Sequence, residues 1–406
     1  MATTSALDVV ETIRSFNAGR DAERLAMKYA AMHRDPFTFL RGSCHLSCDR
    51  LAALGLDVGA PPAWCCGDLH LENFGSYQGD NRLVYFDIAD FDESALAPAQ
   101  WDVVRLLTSL LVGADTLSLK TGEAKALCRD ALAAYAEALA TGQARYLERD
   151  TAQGLVKRLL VDLRDRDHAD WLDKRTERRK RRRRLRSDGK YALPVNERGR
   201  ARAEALVRAF AATRDDPRFF EVLDVARRIA GTGSLGVERY AVLIRGKGGA
   251  DGQRLLDVKQ ALPSALGRHA GIAQPDWHSD AHRIVAVETR MQALPPAFLA
   301  PIARRSKSYV LRAMQPSKDR VALDAPRVAT TDLRRAVLDM ARLLAWAQLR
   351  SAGRQGSATA DALIDWGSAR PRWQRALLDA ARDCAKQTER DWRAYAGAFD
   401  RGAFKE

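Results

Sequence analysis

No apolar run in this sequence approaches the roughly 20 residues a helix needs to cross a bilayer, so no membrane partner is expected. The first stretch, MATTSALDVVETIRSFNAGRD, has no basic segment leading into an apolar one, and no export signal is expected there. Both absences point to a cytoplasmic protein. Cysteine is sparse, six in 406 residues, and without an export signal these read as reduced thiols, not a disulfide framework. Cys44, Cys48, Cys65 and Cys66, with His45 and His70 nearby, raise the question of zinc. A C-x3-C pair followed by adjacent cysteines is not a familiar zinc spacing, and the four are read as small buried apolar side chains. Extended disorder is excluded too, because 46% apolar against 29% charged residues is the balance of a folded chain.

What is abundant is positive charge, and it is concentrated. The formal net charge is +14, and KRTERRKRRRRLR (174–186) holds ten Lys/Arg against one Glu. Such a run attracts nucleic-acid phosphates or an acidic partner. No aromatic is interleaved to stack on bases, and a solvated helix face accounts for the run equally well.

Along the chain, apolar spacing of three and four predicts helices up to about residue 55, interrupted at Pro36. Gly55, Gly59, Pro61 and Pro62 mark a turn, followed by a short apolar piece from Ala63 to Cys66, a polar loop, and the strand-like RLVYFDI. Helix resumes from Trp101 to about 150. Residues 151–215 read as charged and helical, with a loop at SDGKYALP. The character then changes: 231–261 contains two β-rich runs around a glycine-rich turn, a hairpin signal. A helix follows over 279–295, with Ser279 or Asp280 as its cap, then a strand over 306–316 ending at Pro316. Residues 330–400 are helical again. The expected division is therefore 1–215, 216–318 and 319–406, an α+β chain whose β-rich block is inserted between helical segments.

The chemistry concentrates in CCGDLHLENFGSYQGDNRLVYFDIADFDES (65–94). An Asp five residues before an Asn on one loop, Asp68 and Asn73, can face a hydroxyl while the Asn holds a cation. An Asp ending an apolar strand, Asp87, can hold the same cation from the other side. Phosphoryl transfer needs such a grouping, because the transferred phosphate must be neutralised while a nucleophile is aligned with it. Mg²⁺ suits the site, since it binds through one or two carboxylates plus phosphate oxygens and water.

GDLHLEN resembles the G-D-x-H-x-x-N catalytic loop of aminoglycoside phosphotransferases and choline kinases, which share the protein-kinase-like fold, and LVYFDIADFDE is similar to their metal-binding strand and loop. The resemblance implies that Asp68 is the catalytic Asp, that Asn73 is a metal ligand, and that Asp87 is the second, with Asp90 or Asp92 competing for that place. Asp102 in WDVVRLL resembles the structural Asp that opens a following helix in these enzymes.

These enzymes have a nucleotide-binding lobe before the catalytic loop, but only about 66 residues precede it here. The lobe is expected downstream. Gly231, Gly233 and Gly236 form G-T-G-S-L-G. A dinucleotide fold, with Asp257 as its ribose acid, would need a helix directly after these glycines. The β-rich VERYAVLIRG follows instead, which is the kinase arrangement. Backbone amides of Gly231, Thr232, Gly233, Ser234 and Gly236 would then cover the phosphates, Lys259 in RLLDVKQA would contact them, and Glu288 on the next helix would orient Lys259. YVLRAMQP would lead to the hinge and place Arg312 to Gln315, including Met314, near the adenine. AVLDMARLLAWAQLRSA looks like the helix that ordinarily precedes the catalytic loop, so the motif order is that of a circularly permuted two-lobe kinase-like fold.

The resemblance implies an ATP- and Mg²⁺-dependent phosphotransferase acting on an unidentified hydroxyl. A nucleotidyl (AMP) transferase or a non-catalytic nucleotide-binding regulator of the same fold is the alternative, and a nucleic-acid-binding protein using 174–186 is the third reading. The whole pattern also resembles the bacterial DUF2252 family, through FTFLRGSCHLSCDRLA, CCGDLHLENFG, FDIADFDES, WDVVRLLTS, GTGSLGVERYAVL, LLDVKQALPSAL, RMQ and YVLRAMQPSKD. The chain departs from that family at Ala89, where an Asn usually precedes D-F-D-E, and at AQLR, where an HA pair is favoured. Arg41 in FLRGS is a further residue expected to reach the site.

Overall fold

The structure is a computed structural model that describes residues 8–405 except 165–167, 180–181, 248, 250, 316–319, 322 and 324–327. Pro316, expected to end a strand, and Lys180 and Arg181 of the basic run lie outside the described residues.

Four short helices open the chain, each begun by a residue that suits a helix start. Asp8 caps α1 (Val9–Asn17), Asp21 caps α2 (Ala22–His33), and Asp35 with Pro36 behind it starts α3 (Pro36–Gly42). Ser43 separates α3 from α4 (Cys44–Ala53). Strand β1 (Pro62–Cys65) then runs into the acidic stretch, where β2 (Phe74–Gln78) and β3 (Val84–Ile88) pair as a hairpin and β4 (Ala95–Pro98) returns antiparallel to β1. The long apolar helices α5 (Gln100–Val112) and α6 (Thr121–Thr141) pack behind these loops. Their apolar faces join Trp64, Phe74 and Phe86 in the largest core.

After β5 (Leu147–Glu148), α7 (Gly154–Arg164), α8 (His168–Arg175) and a later helix at Glu197–Ala211 agree with the helical expectation for 151–215, which is corrected at the basic run. The basic run forms two paired strands, β6 (Thr176–Arg179) and β7 (Arg182–Leu185). Arginine is a good helix former, but alternation wins here. Arg183 and Leu185 point inward and Arg182 and Arg184 outward, with Arg183 bonded to Asp173 and Thr176 and the Leu185 amide donating to Asp224. Half of that strand is therefore committed to internal contacts.

A six-stranded antiparallel sheet follows, in the order β12-β13-β11-β10-β9-β8. Its strands are β8 (Ala192–Leu193), β9 (Val222–Arg228), β10 (Arg239–Ile244), β11 (Arg254–Ala261), β12 (Ala300–Arg304) and β13 (Lys307–Ala313). The sheet thus begins at 192, because β8 pairs with β9 across the intervening helix α9 (Glu197–Ala211). Strand alternation divides its two faces. Tyr240, Val242, Leu256, Val258 and Leu311 pack with Leu206 and Phe210 of α9, while Arg239, Asp257 and Lys259 carry charge on the opposite parity. After the short α10 (Ala265–His269), helix α11 (Asp280–Met291) is capped by Ser279, whose Oγ accepts from the His282 amide.

Helices α12 (Thr330–Arg350), α13 (Ala360–Ser368) and α14 (Arg370–Asp400) return to the first core. The turn after α12 is bonded to β1: the Ala358 amide donates to Pro62 O at 2.7 Å and Trp64 Nε1 to Arg354 O at 3.0 Å. Two segments almost three hundred residues apart in sequence thus meet at the entrance to the acidic loop. The described architecture is α+β, as expected, and no helix among the described residues is long and apolar enough to cross a membrane.

Candidate functional site

Asp102, in the first turn of α5, fixes the acidic loop. Its carboxylate accepts from the Cys66 amide at 2.7 Å and the Gly67 amide at 3.0 Å. Burial pushes Asp102 up to about 6 despite those two donors. Gly67 has φ of 88°, and a Cβ there would lie 2.1 Å from Glu93 O, so only glycine lets the two acidic segments press together. Asp68 follows directly. One carboxylate oxygen accepts from Arg105 Nη2 at 2.6 Å and Nε at 3.1 Å, and the other lies 3.9 Å from His70 Nε2. His70 accepts the Glu72 amide on Nδ1, so the neutral ring carries its proton on Nε2, toward Asp68. Burial holds that imidazole well below its ordinary pKa, with Arg41 and Arg105 adding to the effect.

Asn73 ties the two acidic segments together: its amide nitrogen donates to Asp68 O at 3.0 Å and Asp90 O at 3.2 Å, leaving its oxygen as the atom that could face a cation. Asp87 is placed elsewhere. It is 1% exposed, and its carboxylate is taken by Arg350 at 3.1 Å and by the amides of Ala293 and Ile88. The strand alternation that ends β3 turns Asp87 toward α12, and the next carboxylates along the loop reach the cleft instead. Asp92 forms a close ion pair with Lys259 Nζ, and Asp90 Oδ2 lies 3.6 Å from the same nitrogen. Burial favours the neutral form of both acids, yet Lys259 and Arg312 hold Asp90 below its ordinary value, while the Asp90 charge adds to burial and pushes Asp92 up.

The glycine loop joins β9 to β10 and faces these carboxylates across a cleft of about 800 Å³, lined by Asp68, Asn73, Asp90, Asp92 and all of Gly231, Thr232, Gly233, Ser234 and Gly236. Among the described residues the amides of Thr232, Gly233, Ser234 and Gly236 have no acceptor. The loop carbonyls, in contrast, are held from outside. Arg20 Nη1 donates to Gly233 O at 2.9 Å, Lys28 Nζ to the same oxygen at 3.0 Å, and the Asp21 amide to Gly236 O at 2.9 Å. Lys28 is fully buried, its other partner being Asn17 Oδ1 at 2.8 Å. The N-terminal helices thus grip the carbonyl edge of the loop and leave its amide edge free.

Two expected contacts are replaced. Glu288 does not reach Lys259; its carboxylate accepts from Arg312 Nη1 at 3.0 Å. Lys259 is engaged by Asp92, with Asp90 3.6 Å away, and β13 presents Arg312 opposite Asp257, beside α11. Burial pushes Glu288 up to about 7, against the pull of Arg312. Met314 does not line this cleft. Its amide donates to Leu255 O, and its side chain packs with Trp171 and Leu223 in a separate groove. Arg41 reaches the site as expected, meeting Glu72 at 2.9 Å, neither Asp68 nor Asp87 directly.

Arg105, Arg239, Arg20 and Lys28 had no place in the sequence reading. Arg105 stands alone within VVRLLTSLLV, and a lone cation in an apolar helical run signals a buried partner. Arg239 and Arg228 both pair with Asp257, and although burial raises that carboxyl, the two guanidiniums hold it far below the ordinary range. All six cysteines are unbridged and five are buried. No group of three or more His, Cys, Asp or Glu able to hold a metal occurs among the described residues.

No curated protein and no solved structure matches the chain. One family model does, over residues 20–398, described as an uncharacterized protein conserved in bacteria. Spanning nearly all of the described chain, that match makes this protein a member of the DUF2252 family.

Proposed function

We propose that the chain is an ATP- and Mg²⁺-dependent phosphotransferase with a two-lobe, kinase-like architecture in circularly permuted order. One observation carries the reading: four loop amides without an acceptor among the described residues and the Asp90–Asp92 pair line the cleft that also holds Asp68 and Asn73, and the strand lysine Lys259 stands behind that pair. Free amides on a glycine turn suit phosphate oxygens. Lys259, now neutralised by two aspartates, would exchange them for the nucleotide's phosphates once a cation took the carboxylates. Asp90, Asp92 and the Asn73 oxygen fit Mg²⁺, which takes few protein ligands and completes its shell with phosphate and water. Bound there, the ion would supply charge neutralisation. Asp68, steadied by Arg105, would accept the hydrogen bond of an acceptor hydroxyl and aim it. The junction of the α12 turn with β1 supports the permuted order, because it leads a helix into the acidic loop through space.

The test is nucleotide binding by calorimetry with and without Mg²⁺, on the full chain and on Lys259→Met. Binding that requires Mg²⁺ and weakens at least tenfold in the variant is expected. A wild-type protein that binds no nucleotide would end the proposal. Mass spectrometry of an acceptor incubated with ATP then separates phosphoryl from nucleotidyl transfer.

A further inference from the structure

The cleft is more basic than a nucleotide site alone accounts for, and its cations fall into two groups. One surrounds Lys259: the charges bearing on Asp92 are Asp90, Lys259 and Arg239. The other lies beyond Asp68: the charges bearing on Arg41 are Glu72, Arg320, Asp68 and Asp35. In this second group two arginines compete for one carboxylate. Arg41 and Arg320 donate to the same Glu72 oxygen, at 2.9 and 2.8 Å. Asp68 is already engaged by Arg105. Arg41 Nε is buried with no acceptor among the described residues, although the side chain is only 14% exposed. Arg20 and Arg268 line the same cleft with no carboxylate within 4 Å among the described residues. A buried guanidinium donor without an acceptor is costly unless a ligand supplies one.

This end is also roofed. Gly233 sits against Arg41 O, where a Cβ would be 3.1 Å away, and Arg20, Asp21 and Lys28 fasten the loop above. A cleft of this size falls within the range of small-molecule sites.

Resting on the phosphotransferase reading, we infer that Arg41 and Arg320 hold an anionic group of a small acceptor. The acceptor is a phosphate- or carboxylate-bearing alcohol. Glu72 occupies the place of that anion until the acceptor arrives. The charge is of the wrong sign for a polycationic aminoglycoside or for choline, the acceptors of the enzymes whose loop this one resembles.

The experiment is calorimetric titration of the full chain, saturated with a non-hydrolysable ATP analogue and Mg²⁺, with inorganic phosphate, glycerol 3-phosphate, glycerol and choline. Phosphate and glycerol 3-phosphate are expected to bind beside the nucleotide, and glycerol and choline to give no heat. Arg41→Met and the half-exposed Arg320→Ala should each weaken glycerol 3-phosphate at least tenfold and leave nucleotide affinity within twofold. Arg41→Lys, which keeps the charge, should recover part of the loss. Three results would overturn the inference: no anion binding, choline binding instead, or anion binding abolished by the nucleotide, which would assign these arginines to the nucleotide itself. Nucleotide binding without an anion site would sink this inference alone. An anion site in a chain that binds no nucleotide would sink the phosphotransferase reading and leave the anion site standing.

Discussion

Asp87 and Asp92 are five residues apart and do different work. Asp87→Ala would remove the buried carboxylate that Arg350 and two backbone amides hold, a loss of about 3 kcal/mol, the lower end for a broken buried pair. Urea unfolding should register that loss, with nucleotide affinity unchanged in the surviving folded fraction. Asp92→Asn should do the reverse, removing most of the Mg²⁺ dependence of nucleotide binding with a small effect on stability. Were Asp87→Asn the variant that lost Mg²⁺ dependence, our placement of the cation would be wrong. Asp68→Asn keeps the shape but presents Arg105 with a neutral partner and weakens the acceptor for a hydroxyl proton. Turnover should fall about 10²- to 10⁴-fold while ATP still binds, and a variant with full turnover would remove Asp68 from the mechanism.

At the scale of elements, the glycine loop is an arch held by its carbonyls. Lys28 donates to Gly233 O there, and to Asn17 Oδ1 behind it, at the cost of burying an ammonium, and burial drives its pKa well below the ordinary lysine value. Lys28→Met removes both the grip and the buried charge. The folded chain should be as stable as before or more so, and nucleotide affinity should drop about tenfold, about 1.4 kcal/mol, because the loop amides are no longer presented together. Thermal melting and calorimetry on the same preparation check both halves. The basic hairpin makes the related point that an element's identity can lie outside its own residues. Arg-rich sequence reads as helix, and the pairing of buried Arg183 with Asp173 and the buried bond of the Leu185 amide to Asp224 decide for strand.

Across the whole molecule, stability carries the imprint of its buried carboxyls. Glu288 rises from an ordinary value of 4.5 to about 7. Between those values the folded chain binds more protons at this site than the unfolded chain does. Its contribution to stability is therefore present at low pH and lost as pH rises from about 4.5 through 7. The loss is on the order of 3 kcal/mol at most. Glu288→Gln should flatten that part of the urea-denaturation profile, and an unchanged slope would refute the assignment. Asp257 works in the opposite direction: held far below the ordinary range by Arg228 and Arg239, it stabilises the fold above about pH 4 and loses that contribution as pH falls.

The motifs were legible because they are local. Glycine, Asp68 and Asn73 follow one another on a single loop, and G-T-G-S-L-G, its strand and Lys259 lie within thirty residues, so turn residues and the β-forming runs beside them place them on a loop, an arch and a strand. Outside the basic run, helices and the α+β layout followed from periodicity, and capping chemistry narrowed the start of α11 to Ser279 or Asp280, of which Ser279 is the cap. Partner choice was not legible. That Asp68 meets Arg105, Asp87 meets Arg350, Glu288 meets Arg312 and Gly233 meets Lys28 depends on which cation lies within about 3 Å once distant helices and strands have packed. A carboxylate attracts every cation alike, and only the close packing of the finished fold gives each one a single neighbour.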